Sequence, residues 1–455
     1  MERTHYSQID KYVIKAVCQE PLHIGSSRGD KEEVLTHPVD RVPFIQASGL
    51  AGVFREYFSQ EYGKEEADNI FGKSNVSEDS EQGSKIRFTD GRFLMETVKI
   101  ELRPRLKLNS ASGTVDAEKI KGSEQKSGQK FNMQYVAAGA GFSFAVYFFG
   151  EDEQFHQKFL GCLSAVQKGN LQFGGQKSNG CGYLTLSEVR YQHYNLKEKA
   201  GRESWFSESE AEESSYQKID LSKLPVAGKN RAFDLYLDGK TETELLVKGI
   251  AVTDYGDSSL DDMNIQNGKK EYIIPASSLK GAIRNRIDMI IRYKGMEEEW
   301  ITRLFGKAAL KEKNEREESG NTGLFCFYDT VIGEKEENDK ADIRTRIRVD
   351  KFTGGVRNGG LFSQKNTAGK VRMHFSILEG EYADLACALL VYALRDLANG
   401  EVTVGSGYSI GKGFIQADQI EIKNSRGETC RINFKTGTIQ DEKQILSACM
   451  QTLKN

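Results

Sequence analysis

Ser277 and Ser278 stand directly ahead of Lys280, Arg284 and Arg286, at the start of a segment whose apolar residues recur at helical spacing. A serine at such a start can cap the helix, and the first turn then offers unpaired N–H groups and a partial positive charge to an anion. With the added cations this is phosphate-holding chemistry. The element Ile274-Pro275-Ala276-Ser277-Ser278-Leu279-Lys280-Gly281 repeats an earlier one, Ile45-Gln46-Ala47-Ser48-Gly49-Leu50-Ala51-Gly52, at an offset of 229 residues. In that first copy Ser48 keeps its place, Gly49 and Ala51 replace a serine and the lysine, and Arg55 matches Arg284. The second copy is therefore expected to grip anions harder.

Two further patterns suit an extended polyanion. Gly405-Ser406-Gly407-Tyr408-Ser409-Ile410-Gly411-Lys412-Gly413 and its counterpart Gly174-Gly175-Gln176-Lys177-Ser178-Asn179-Gly180-Cys181-Gly182 allow backbone amides to approach a bound group without a Cβ in between. A tight hairpin with positive φ explains the same glycines. Neither run is a nucleotide loop, because the G-x-x-x-x-G-K-[ST] spacing is missing and each run closes its half of the chain. In Ile343-Arg344-Thr345-Arg346-Ile347-Arg348-Val349-Asp350-Lys351, charge and aliphatic alternate, so a strand sets Arg344, Arg346 and Arg348 on one face. Lys99, Arg103, Arg105 and Lys107 hold the matching place in the first half. Glycine-rich excursions, residues 109–130 and 352–370, follow these strands and read as long projecting hairpins.

These residues need a scaffold, and the chain supplies one twice. Phe71-Gly72 returns as Phe305-Gly306 at an offset of 234, and the glycine run returns at 231, so three landmarks recur in one order. Two domains are expected, 1–195 and 231–455, joined by a polar connector, 196–230. Residues 75–85 and 311–321 read as matching surface insertions. Strand patterns at 12–17, 142–149, 233–237 and 371–375, with helical patterns at 50–57, 279–291 and 382–397, give an α+β architecture with helices packed on antiparallel sheet. A net charge of −3 excludes a general polycation, so any nucleic-acid affinity must be local. Seven scattered cysteines without a C-x-x-C pair argue against a disulfide framework and against zinc. No apolar run approaches the roughly 20 residues of a membrane span, and the first ten residues lack a signal-peptide core. A prokaryotic cytoplasmic location is expected, with no membrane partner.

The Ile-Pro-x-Ser-Ser-Leu-Lys-Gly motif, Phe305-Gly306, the Arg344–Lys351 row with its hairpin, and the terminal glycine run together resemble the RAMP (repeat-associated mysterious protein) superfamily of CRISPR proteins. More narrowly they resemble backbone subunits of type III effector complexes, here as a tandem fusion of the type III-D kind. The resemblance implies two modified ferredoxin-like (RRM-like) domains, each with a thumb hairpin. It implies guide (CRISPR) RNA, complementary target RNA, neighbouring backbone subunits and a large signalling or nuclease subunit as partners. RNA contacts are then expected at Ser48, Arg55, Arg103, Arg105, Lys107, Lys177, Ser277, Ser278, Lys280, Arg284, Arg344, Arg346, Arg348, Lys351, Gly405, Gly407 and Lys412.

In such subunits an aspartate ahead of the Ile-Pro-x-Ser-Ser-Leu-Lys-Gly motif cleaves target RNA with a divalent metal, which would be Mg2+ or Mn2+. By position the candidates are Asp30, 16 residues before Gln46, and Asp261 and Asp262, 14 and 13 residues before Pro275. Asp30 and Asp262 are the expected metal ligands. A carboxylate there can hold a cation that polarises the scissile phosphate, or orient the ribose 2′-OH for attack. Two departures, Gln46 for proline and Gly49-Leu50-Ala51 for Ser-Leu-Lys, set the first copy apart. Three readings follow: a guided endoribonuclease, a backbone that binds RNA without cutting, and a guide-maturing endonuclease using His23 or His37 as base.

Overall fold

The computed structural model describes residues 6–25, 33–73, 83–106, 117–119, 126–128, 130–152, 154–207, 210–225, 230–249, 260–307, 321–333 and 343–453. Asp30 and Lys107 lie outside these residues, as do most of the expected insertions 75–85 and 311–321 and most of the first projecting hairpin, 109–130.

Two compact units form. The first comprises Met1–Glu101, Gln134–Lys177 and Cys181–Gly228; the second comprises Leu102–Met133, Ser178–Gly180 and Lys229–Asn455. The second unit thus takes in the tip of the first glycine run and the segment carrying Arg103 and Arg105.

In the first unit β1 (Gln8–Cys18) is central, antiparallel to both β2 (Gly141–Phe149) and β3 (Leu184–Asn195). Helices α1 (Ala47–Tyr62) and α2 (Phe155–Gln167) cover one face. Phe142, Phe144, Val146 and Phe148 alternate inward from β2 and meet Phe54 and Phe58 of α1 and Phe155 and Phe159 of α2. The rings of Phe148 and Phe155 stack with centroids 3.8 Å apart. The segment 196–230, expected as a connector, folds: Lys199–Phe206 is a helix, Glu210–Ser215 a 3-10 turn, and Gln217–Lys218 pairs with β3.

In the second unit β4 (Arg231–Thr241) takes the central place. Beside it run β7 (Lys370–Leu378) and β8 (Ile415–Asn424), both antiparallel. Helices α3 (Ala276–Tyr293) and α4 (Ala383–Ala398) bury Leu279, Ile283 and Ile287, and Leu389, Leu390 and Leu394, against Leu235, Leu237, Phe375 and Ile420. Between them β5 (Ile343–Val349) and β6 (Val356–Lys365) form an antiparallel hairpin, joined by the two-residue strand Asp262–Met263 running parallel to β6. All seven cysteines are buried, and none is in a disulfide.

The two terminal glycine runs share a backbone conformation position by position. Positive φ occurs at Gly174, Gln176, Gly180 and Gly182, and again at Gly405, Gly407, Gly411 and Gly413. A Cβ on Gly182 would stand 2.0 Å from the Phe173 carbonyl oxygen, and one on Gly413 2.2 Å from that of Val404. Gly281 instead lies inside α3 with nothing within 4 Å of its ideal Cβ. Thermal or urea unfolding should therefore show Gly182→Ala and Gly413→Ala each losing more than about 2 kcal/mol, from the left-handed φ plus a backbone clash. Gly281→Ala should gain about 0.5–1 kcal/mol, the ordinary helix-interior difference.

Candidate functional site

The start of α3 is capped from outside its own sequence. Pro275 holds the N-cap position and makes no side-chain cap, while the Ala276 N–H donates to Asp329 Oδ1 at 2.8 Å. In the first unit Ala47 N–H donates to Asp90 Oδ1, also at 2.8 Å, ahead of Ser48 in α1. This corrects the expectation that Ser277 or Ser278 caps the helix: both lie inside it, because the helix starts at Ala276 after Pro275, extended at φ −63° and ψ 143° as Gln46 is at φ −59° and ψ 139° in the first copy. Asp90 and Asp329 were missed by sequence reasoning. The signal was there, in Thr89-Asp90-Gly91 and Tyr328-Asp329-Thr330, each an aspartate between a short aromatic strand and the next.

A carboxylate at this helix start already meets part of its attraction for anions. In the second unit the surrounding cations exceed that one carboxylate. Arg103, buried, places Nη1 2.7 Å from Asp329 Oδ2. Lys280 donates to Ser178 Oγ at 2.7 Å, and burial, then the Arg284 guanidinium, push its pKa down to about 8. Arg284 lies 5.4 Å over the Phe305 ring, and Arg105 is close enough to bias Lys280. Arg286 points elsewhere, to Asp396 at 2.6 Å and to Glu401. In the first unit Arg55 pairs with Asp68 at 2.6 Å.

The second cluster centres on the glycine run. Lys412 is buried and donates from Nζ to Asn366 Oδ1 at 2.7 Å and Gln364 Oε1 at 3.2 Å. Asn366 Nδ2 donates to Glu244 Oε2, whose other oxygen accepts from Arg344 Nε at 2.7 Å. Gln364 Nε2 donates to Asp262 Oδ2 at 2.9 Å, and that same oxygen meets Lys248 Nζ at 2.8 Å. The network thus runs from the arginine strand to the aspartate segment through one buried ammonium. Burial, followed by Arg346, holds the Lys412 pKa below the lysine range, while Glu244 and Asp262 pull it back up. Lys412 faces inward to protein groups here, and Gly405 and Gly407 shape the loop that carries it.

Arg344 and Arg346 share a face of β5, opposite Gln364 and Phe362 in register, and the pairing with β6 shifts between Ile347 and Val349, at Arg348. Arg348 and Lys351 are exposed, and Lys351 Nζ lies 5.1 Å over the Phe352 ring at the hairpin tip. Lys177 lies in the first glycine run, where Gln172 Nε2 donates to its carbonyl at 2.8 Å.

Asp261 is exposed and locked to β6: its N–H donates to Ser363 O and its Oδ2 accepts from Ser363 N–H at 2.7 Å. Asp262 is taken by Lys248 and Gln364. Among the described residues no three of His, Cys, Asp and Glu gather as a metal site. Asp261 and Asp262 do not fit a divalent metal as placed, since Asp262 is paired with the Lys248 ammonium and Asp261 with the Ser363 N–H. His23 is buried with Nδ1 2.8 Å from Gln134 O, and His37 sits 3.3 Å from Asp40. His37 is partly exposed beside that carboxylate, whereas His23 is enclosed.

A duplicated α+β domain with a repeated helix-start motif and a closing glycine loop defines a tandem RAMP-type protein. The chain belongs to the RAMP superfamily, whose model matches residues 15–185 and 240–416. No curated protein matches the chain. Among solved structures, a chain in the "Cryo-EM structure of the Type III-B Cmr-beta bound to cognate target RNA" is 18% identical, with 40% of this chain and 61% of that chain covered and a TM-score of 0.30. Among the described residues no helix is long and apolar enough to cross a membrane.

Lys280 gives a pH test of this site. Its folded pKa is about 8 against an ordinary 10.5, so the unfolded chain binds the extra proton between those values. Stability at this group must then rise with pH from 8 to 10.5. Urea unfolding at pH 7.5 and 9.5 should show a gain on the order of 1–2 kcal/mol that Lys280→Met abolishes.

Proposed function

We propose that this chain is an RNA-holding backbone subunit of a type III CRISPR effector complex, with each RAMP domain taking one stretch of guide RNA and its complementary target. The observation that carries this reading is the arginine face of β5 set beside the glycine run. There Arg344, Arg346, Lys248 and Lys412 outnumber Glu244 and Asp262, and Arg348 and Lys351 extend the cationic line to the hairpin tip. Side chains at every second strand residue suit a single-stranded phosphate backbone, and sequence choice is left to base pairing. Neighbouring backbone subunits and a large signalling or nuclease subunit complete the assembly in this reading.

Target cleavage, with Mg2+ or Mn2+, is assigned to Asp30 of the first unit. The second unit holds RNA without cutting it, because Lys248 and Gln364 already engage Asp262 and β6 fixes Asp261. The assembled, guide-loaded complex given a labelled complementary RNA and Mg2+ is the test. Asp30→Ala should remove one specific cut, and Asp261→Ala/Asp262→Ala should leave the pattern intact. Loss of a cut in the double variant reinstates the second unit as a nuclease; no change in either variant leaves a non-cleaving scaffold.

Salt dependence tests the interface separately. Log K for a single strand falls with log[salt] by about 0.7 per neutralised phosphate, so Arg348→Gln should lower the slope by about 0.7. Arg103→Gln should leave the slope unchanged and reduce the melting temperature, since Arg103 is buried against Asp329.

A further inference from the structure

The two sheets differ on the face turned away from their helices. In the first unit that face is sealed by the chain's own segment 196–224. Trp205 packs edge-on against Tyr147 and Tyr194, with centroids 6.1 and 5.2 Å apart, and Tyr216 exchanges a hydroxyl hydrogen bond of 2.9 Å with Tyr194. Glu213 takes the ammonium of Lys11 at 2.8 Å, leaving Lys11 only 4% exposed. Central strand β1 is consequently buried on both faces. Its counterpart β4 alternates buried Phe233, Leu235 and Leu237 with half-exposed Asp234, Tyr236 and Asp238.

The uncovered face of the second sheet is prepared in a particular way. Tyr236, His374 and Tyr328 form a column, with His374 parallel to its neighbours at 4.6 and 4.1 Å. Arg372 and Lys423 lie over the Tyr236 ring at 4.8 and 5.3 Å. The carboxylates beneath them, Asp238 and Glu421, are 23% and 10% exposed, whereas Arg372 and Lys423 are 54% and 44% exposed. The face presents cations outward over sunken acids. A stacked nucleobase needs a free ring face. Here both faces of His374 are taken, cations lie over Tyr236, and Tyr328 is buried, with Arg231 5.9 Å from its ring.

We propose that this face docks a polypeptide segment of a neighbouring subunit, one carrying an aromatic ring flanked by carboxylates. The inference rests on the subunit reading above and names one surface through which the chain joins its assembly. The chemistry is that of the first unit, where an indole, a phenol and a glutamate seal the same face of the homologous sheet over Lys11. Exposed Arg372 and Lys423 supply the matching charge for a partner's acids, and a ring beside Tyr236 excludes water from them. Among the described residues nothing in the second unit plays the part of Trp205 or Tyr216.

Footprinting decides it. Hydroxyl-radical oxidation of Tyr236 and His374 and acetylation of Lys423 are followed by mass spectrometry in the free chain, in the chain with guide RNA alone, and in the assembly isolated on this chain. All three residues should be protected about fivefold or more in the assembly, as at an interface core, and unchanged with RNA alone. Equal protection by RNA alone overturns the proposal in favour of a nucleic-acid surface. An assembly in which all three stay reactive overturns this inference alone, and failure to recover any guide-bearing assembly overturns the subunit reading together with it. Lys423→Ala/Arg372→Ala, shown folded by its melting curve, should recover neighbouring subunits at least about tenfold less well, the loss of one strong contact. Undiminished recovery also overturns the proposal.

Discussion

In each unit the closing glycine run lies against the chain just after the first strand, so near that the backbone itself must be bare. Gly175 N–H donates to His23 O and Gly182 N–H to Pro21 O; Ser406 N–H donates to Leu246 O and Gly413 N–H to Glu244 O, all at 2.8–2.9 Å. A Cβ on Gly174 would stand 2.3 Å from the His23 carbonyl, and one on Gly405 2.7 Å from that of Leu246. This lock ties the last strand of each sheet to the root of the segment that leads toward the aspartate loop. The glycine run and the segment just after the central strand take their positions from this one joint.

The second unit adds a polar joint to the backbone one. A buried ammonium is costly unless its donors are met, and Lys412 meets Gln364, Asn366 and, through Asn366, Glu244. The arrangement fixes β6 and restrains Arg344. It also explains why an apparently loop-borne lysine lies inward: its charge organises the neighbouring groups, and the outward cations are those of β5 and the hairpin. Asp262 belongs to this network as well, which gives it a structural task that a lone aspartate in a serine-rich loop does not advertise.

Much of this was legible beforehand. Helix periodicity placed α1, α3 and α4 within a few residues, alternation placed the central strands, and the matching landmarks revealed two copies of one domain. The glycine runs were legible only as two options, and positive φ at four matched positions meets the structural one, with Gln176 standing where the second copy has Gly407. What stayed hidden depends on contacts distant in sequence. Asp329 reaches α3 across 53 residues, Gln364 reaches Asp262 across 102, and Arg103 finds Asp329 from the other repeat. No local pattern records such pairings. The segment 196–230 reads as polar from its acids and serines, and among its described residues Trp205, Tyr216 and Glu213 hold it against the sheet.

Duplication gave two copies that share a skeleton and then diverged in what they leave open. The first copy has no lysine at the helix start, and its outer sheet face is closed by its own chain. The second keeps Lys280 and Arg284, ties its aspartates into β6, and leaves its outer face half exposed. Groups satisfied within the chain are withdrawn from partners, and the second copy does this at Asp261 and Asp262 as the first does on its outer sheet face. Among the described residues, the outer sheet face of the first unit is the more self-contained of the two. The second keeps an exposed cationic strand and a half-exposed outer sheet face.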